Sequence, residues 1–107
     1  MTDKNIVPTE TPWGPIQTRK EYGEGITFVS TASHGGFYVA PDLNKLIPEE
    51  RRLATWNGGQ GMRGWYEEDC DSCIVVLAFP DRFPAEEVCI ATATFNHWLE
   101  PKITKAA

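Results

Sequence analysis

No stretch of this chain approaches the ~18 consecutive apolar residues that a membrane-crossing helix requires, which excludes a helical membrane span within it. The opening Met1-Thr2-Asp3-Lys4-Asn5 lacks the charged-then-apolar layout of an export signal. Cysteine is scarce: three residues, an odd count, point to reduced thiols more than to a disulfide framework. These absences predict a cytoplasmic protein. Basic residues are the next deficit. Ten Lys and Arg stand against fifteen Asp and Glu, for a formal net charge of -5, and the imbalance is uneven. Residues 1–56 carry six bases and seven acids, whereas residues 57–107 carry four and eight. From Glu67 to Glu100 all eight of those acids meet one base, Arg82, so the clustered Lys and Arg of a nucleic-acid footprint are missing. A protein partner with a basic surface, or a cation, fits this balance better, with no direct nucleic-acid or membrane contact. A solvated acidic face that only keeps the protein soluble is the simpler alternative.

What is present suits one globular domain. The 107 residues, 41% of them hydrophobic and including four tryptophans, suffice for a single core. No internal repeat or low-complexity tract interrupts them. Residues 1–10 are polar and proline-containing and read as a flexible arm, with order beginning near Trp13. Ile16–Tyr22 and Ile26–Ser30 flank the turn-prone Gly23-Glu24-Gly25, predicting a β-hairpin, and Phe37–Val39 supplies a third strand. Pro48-Glu49-Glu50 opens a short helix to about Trp56. Tyr66, Cys70, Cys73, Ile74, Leu77 and Ala78 recur at helical spacing, with Glu67, Glu68 and Asp69 in the first turn and Pro80 as the stop. A buried strand over Ile74–Phe79 is the competing assignment. Pro84, Glu86 and Glu87 open a further helix whose buried stripe is Val88, Ala91, Phe95, Trp98 and Leu99, ended by Pro101. The predicted fold is therefore α+β: a small N-terminal antiparallel sheet packed against two or three C-terminal helices, in one domain over residues 11–101, with a frayed tail at 102–107.

Three motifs carry chemistry. Ser33-His34-Gly35-Gly36-Phe37 interrupts the strand-like run from Ile26 to Ala40 with one proton-transferring side chain and two glycines. His34 is the candidate base or ligand, with Glu67, Glu68 and Asp69 as its acidic partners if the fold brings them together. Otherwise the glycines serve a bulge or tight turn within the sheet. Gly59-Gln60-Gly61-Met62-Arg63-Gly64 spells G-x-G-x-x-G, but no strand precedes it, and the acids at 67–69 would repel a pyrophosphate at the following helix. No nucleotide or other cofactor is expected. Cys70-x-x-Cys73, flanked by Asp69 and Asp71, sits in a setting that disfavours a thiolate. A zinc site would have to recruit Cys89 and His97, whose spacing matches no standard finger or ribbon, and no metal site is predicted. The remaining aromatics, Trp13, Trp56, Tyr66 and Trp98, read as core or boundary residues. Trp65, beside the glycine loop, reads as a partner anchor.

Thr11-Pro12-Trp13-Gly14, Ser30-Thr31-Ala32-Ser33-His34-Gly35-Gly36-Phe37 and Gly64-Trp65-Tyr66-Glu67-Glu68-Asp69-Cys70-Asp71 together resemble an uncharacterised domain family of bacterial plasmid and phage proteins. The resemblance spans Thr11 to Phe83 and brings no catalytic role with it. It implies a mobile-element accessory protein, a class that includes anti-CRISPR and anti-restriction inhibitors of host defence. The leading expectation is thus protein binding through Trp65, Glu67, Glu68, Asp69, Asp71, Asp81, Glu86 and Glu87. A small enzyme or metal-dependent ligand-binding domain centred on His34 with Glu67, Glu68 or Asp69 is the alternative.

Overall fold

Gly23 and Gly25 both adopt φ 85°, a left-handed conformation that side-chain-bearing residues avoid, and the chain reverses between them. Strands β3 (Thr18–Glu21) and β4 (Ile26–Ser30) leave this turn as the expected hairpin. The computed structural model describes residues 7–106. Upstream, two short strands, β1 (Glu10–Thr11) and β2 (Gly14–Pro15), pair across Pro12 and Trp13. Strand β5 (Gly35–Val39) pairs antiparallel with β4, and β6 (Trp65–Glu67) pairs antiparallel with β5, giving a four-stranded sheet in the order β3-β4-β5-β6. With helices following, the fold is α+β.

Side chains alternate across a strand, and here both faces of the sheet are covered. One face supplies Ile26, Phe37, Val39 and Tyr66 to the main core, where they meet Ile74, Val75, Ala91, Phe95 and Leu99. On the other, Val29 and Trp65 form a smaller core with Val7 and Trp13. The part of the predicted arm that is described is therefore partly docked, since Val7 is buried; residues 1–6 lie outside the described residues.

The middle of the chain is a series of short helical turns, α1 (Pro41–Asn44), α2 (Glu49–Leu53) and α3 (Trp56–Gly59), followed by a 3-10 turn over Gln60–Arg63. Asn44 ties them to the sheet: its Nδ2 donates to the Gly61 carbonyl at 2.8 Å, and its Oδ1 accepts the Tyr66 hydroxyl at 2.5 Å. The G-x-G-x-x-G segment leads from these turns into a strand, the reverse of a dinucleotide-binding order.

Two helix boundaries differ from expectation. The helix predicted from Tyr66 begins at Ser72, as α4 (Ser72–Ala78), because Trp65–Glu67 instead complete the sheet beside β5. Glu67 thus ends a strand, while Glu68 and Asp69 stand in the turn after it. The last helix, α5 (Ala85–Thr94), does not stop at Pro101. It widens into a π turn over Phe95–Leu99 and continues as α6 (Glu100–Ala106), so residues expected to fray are helical. A proline ring normally collides with the carbonyl four residues back, and a widened turn just ahead of it relieves that contact. Ile103 packs against the main core, and Lys102 Nζ donates to the Ala54 carbonyl at 2.7 Å.

Among the described residues, no helix is long and apolar enough to cross a membrane.

Candidate functional site

The alternation of β6 decides where the acidic residues go. Trp65 lies in the small core and Tyr66 in the main core, so Glu67, next in line, returns to the Trp13 side. The chain then turns. Glu68 N–H donates to the Gly35 carbonyl at 3.0 Å, and Asp69 N–H donates to Glu67 Oε1 at 2.9 Å. Ser72 Oγ donates to the Glu68 carbonyl at 2.9 Å. The result is a ridge of three carboxylates at the end of the sheet, with a hollow on either side.

The smaller hollow, about 190 Å³, is lined by Trp13, His34, Trp56, Glu67 and Asp69. Hydrogen bonds outside the main core hold its walls. Thr11 Oγ1 donates to the Gly14 carbonyl at 2.7 Å and accepts Trp13 N–H at 3.0 Å, closing the turn that presents Trp13. Thr31 Oγ1 and Ser33 Oγ donate to the Trp13 carbonyl at 3.1 and 3.2 Å. On the far wall, Asp71 Oδ2 accepts Trp56 N–H at 2.7 Å. Gly36 makes this arrangement possible: a Cβ there would stand 2.5 Å from Trp13 Cη2 and 2.3 Å from the Tyr66 carbonyl oxygen.

The larger hollow is an open groove of about 320 Å³ between the sheet and the α4–α5 pair. Tyr22, Phe28 and Phe37 line it from the sheet, and Val76 and the 59% exposed Ile90 from the helices. The exposed carboxylates Glu68, Asp69 and Glu87 stand at its mouth, and among the described residues no lysine or arginine lines it. Asp69 borders both hollows. Gly35 clears space for Glu68, whose Oε2 lies 2.7 Å from where a Cβ on that glycine would stand.

Several bases are engaged with backbone carbonyls or aromatic rings. Arg82 donates to the Tyr22 and Glu24 carbonyls at 3.1 and 2.8 Å, and Arg52 Nε to the Ile47 carbonyl at 2.9 Å. Arg51 lies over the Phe95 ring and Lys20 over Tyr22. Among the described residues, no ion pair joins a lysine or arginine to a carboxylate. Burial raises the carboxyl pKa of Glu67, an effect that the Asp69 N–H opposes and the Asp69 charge reinforces. Burial raises that of Asp71 too, against the Trp56 N–H and the charge of Lys102.

His34 sits exposed in the β4–β5 turn and shares its hollow with Glu67 and Asp69, whereas Glu68 faces the other one. Among the described residues, its ring makes no hydrogen bond to either carboxylate. Gly35 and Gly36 lie in the regular pairing of β5 rather than in a bulge or tight turn; their lack of side chains is what the packing uses. Two partner-contact expectations need correcting. Trp65 is buried, edge-on to Trp13 with ring centroids 5.6 Å apart, because β6 turns it into the small core. Asp71 is buried as well, and its carboxylate is spent on Trp56 N–H. Asp81 and Glu86 are exposed but line neither hollow.

The cysteines do not converge on a metal. Cys73 is buried, Cys89 is exposed on α5, and among the described residues no three His, Cys, Asp or Glu side chains form a metal-binding group. Burial, with the charge of Asp71, pushes the Cys73 thiol up to about 12. Burial and then Glu67, Asp71 and Asp69 raise Cys70, so neither is a ready thiolate.

Sequence reasoning missed Trp56 and the groove aromatics Tyr22 and Phe28. Trp56 was assigned to the core or its boundary, yet it is 45% exposed, and the left-handed Asn57, at φ 54°, turns the chain away directly after it. The run Asn57-Gly58-Gly59 was the available signal.

A four-stranded antiparallel sheet, covered by helices on one face and by a tryptophan turn on the other, and ending in an acidic ridge between two aromatic-lined hollows, defines a small α+β domain. A family model described as Domain of unknown function (DUF7007) matches residues 6–106, and the chain belongs to that family. No curated protein and no solved structure matches it.

Proposed function

We propose that this protein acts by binding a protein partner, and that the acidic ridge with its groove receives a basic segment carrying apolar side chains. One observation carries the reading: Glu68, Asp69 and Glu87 surround an apolar, aromatic-walled groove that, among the described residues, no lysine or arginine lines, with Ile90 exposed beside them. Apolar contact supplies affinity, while uncompensated charge at the mouth steers encounter and excludes acidic competitors. The three segments that resemble plasmid and phage proteins supply Trp13, His34, Glu67 and Asp69 to one hollow, and the setting proposed here is the one that the resemblance implies. In that setting the protein works in the cytoplasm as a mobile-element accessory factor. It occupies the basic surface of a host defence protein, in the manner of an anti-CRISPR or anti-restriction inhibitor. Catalysis centred on His34 has less support, since among the described residues no hydrogen bond orients its ring against a carboxylate.

The test is a matched pair of charge reversals. Glu68→Lys/Glu87→Lys alters the groove, and Glu49→Lys/Glu50→Lys makes the same change in net charge on α2, away from it. Binding of a fluorescent peptide containing alternating arginine and leucine is read by anisotropy across a salt series. The groove variant is expected to lose at least about tenfold in affinity, some 1.4 kcal/mol, with the α2 variant close to wild type. Equal losses in both variants would reduce the binding to net charge and sink the proposal.

A further inference from the structure

We propose that the hollow between Trp13 and Trp56 is a subsite for a single arginine side chain of the bound protein. The inference rests on the ridge being a protein-binding face, and it names the residue that the second hollow selects. At about 190 Å³ the hollow is smaller than the ~300 Å³ at which pockets for drug-sized ligands begin, but it has room for one long side chain.

Its lining matches guanidinium chemistry. Glu67 and Asp69 offer carboxylate oxygens and have no cationic partner among the described residues. The Trp56 indole, 45% exposed, offers a ring face, and the His34 imidazole a further nitrogen. A guanidinium is planar and weakly hydrated, so it can stack on an indole while giving paired N–H bonds to a carboxylate. An ammonium group is a compact point charge that gains less from such a geometry. The charge of the incoming group also suits Glu67, which is held half-buried at the sheet end with its carboxyl pKa raised by burial.

The walls are already in place before any ligand arrives. Asp71 fixes the backbone of Trp56, and Thr31 with Ser33 fixes that of Trp13, so the backbone ordering of both walls is not left for binding to impose. In this scheme Asp71 is a positioning residue and contacts no ligand. Asp69 borders both hollows, so an arginine in the smaller one places its neighbouring residues over Glu68 and the groove.

The experiment follows the tryptophan indole N–H signals and the Asp69 amide in ¹H–¹⁵N spectra of the full chain. The probes are N-acetyl-arginine methylamide and its lysine counterpart. The arginine probe is expected to shift the Trp56 and Asp69 signals saturably, with a Kd on the order of 10 mM, and the lysine probe to bind at least about fivefold more weakly. Glu67→Gln keeps an oxygen for the Asp69 N–H, so the turn survives, while arginine binding falls about fivefold or more. Asp69→Asn gives a second, independent reading of the carboxylate contribution. Ile90→Ala, at a residue that lines the larger hollow and not the smaller and brings no charge to Asp69, leaves the arginine titration unchanged.

Equal shifts from both probes, no saturation, or full binding by both carboxylate variants would overturn the subsite. If the arginine titration behaves as expected but the groove reversals leave peptide binding intact, the groove reading falls and the subsite stands. The reverse pattern removes the subsite alone.

Discussion

Gly36→Ala is the sharpest test of how the site is built. A Cβ at this position would lie 2.3 Å from the Tyr66 carbonyl oxygen, 3.0 Å from the Tyr66 carbonyl carbon and 2.5 Å from Trp13 Cη2. The first two atoms are backbone of the neighbouring strand and cannot swing aside, so either β6 moves away from β5 or the alanine strains the ladder. The third is the far end of an indole that is 8% exposed, and moving it opens the small core. Overpacking of this kind costs about 1–3 kcal/mol, and partial exposure of one large apolar side chain adds about 1.5 kcal/mol. The smaller unfolded-state entropy of alanine returns about 0.4–1 kcal/mol. The net expectation is a loss of about 3 kcal/mol, or roughly 12–24 °C in Tm for a chain of this size. Urea unfolding followed by tryptophan fluorescence measures it, with Gly58→Ala as the control. Gly58 has φ 75° but nothing within 4 Å of its would-be Cβ, so only backbone strain of about 1–2 kcal/mol applies there. A Gly36→Ala protein within about 0.5 kcal/mol of wild type, or one less damaged than Gly58→Ala, would refute the close-approach argument. Because Trp13 forms one wall of the smaller hollow, the same variant should also blunt its arginine response.

Two further outcomes follow from buried titratable groups. Asp71→Asn retains an oxygen to accept Trp56 N–H but removes a carboxyl whose pKa burial raises in the folded state. A raised pKa contributes stability that is full below the unfolded value of about 3.9 and is lost as pH rises through the folded value. Wild type should therefore lose stability relative to the variant as pH rises above about 4, measured by denaturant midpoints; a gain with rising pH would show that Trp56 N–H and Lys102 outweigh burial. For the thiols, timed iodoacetamide labelling read by mass spectrometry should modify the exposed Cys89 first, with buried Cys73 protected until the protein unfolds. Rapid native labelling at Cys73 would contradict its burial.

Local signals in the sequence were read well, and signals that depend on distant pairing were not. The β3–β4 hairpin was legible because Gly23 and Gly25 sit where the backbone must be left-handed. Helix α4 was legible from its apolar spacing, but its start was misplaced. Tyr66 fits that spacing and also fits a strand, and only pairing with Phe37, 29 residues earlier, decides between them. The same pairing buries Trp65, whereas Trp98, in the π turn after α5, is 61% exposed. Within the site, the acidic cluster was legible as charge, but the division of Glu67 and Glu68 between two hollows depends on strand alternation in a strand that was not foreseen. Asp71 looked like one more surface acid in an acidic run, and nothing in its neighbours announces its burial.

The π turn at Phe95–Leu99 makes the end of the chain sensitive to phase. Each α-helical residue advances the next side chain by about 100°, and a π turn holds one residue more than an α turn, so winding the same residues as α-helix would rotate everything beyond them by roughly that angle. Ile103 would swing off the core and Lys102 away from the Ala54 carbonyl, although neither had been changed. The joint between α2 and α3, which precedes Trp56, would then lose a strap anchored nearly fifty residues downstream.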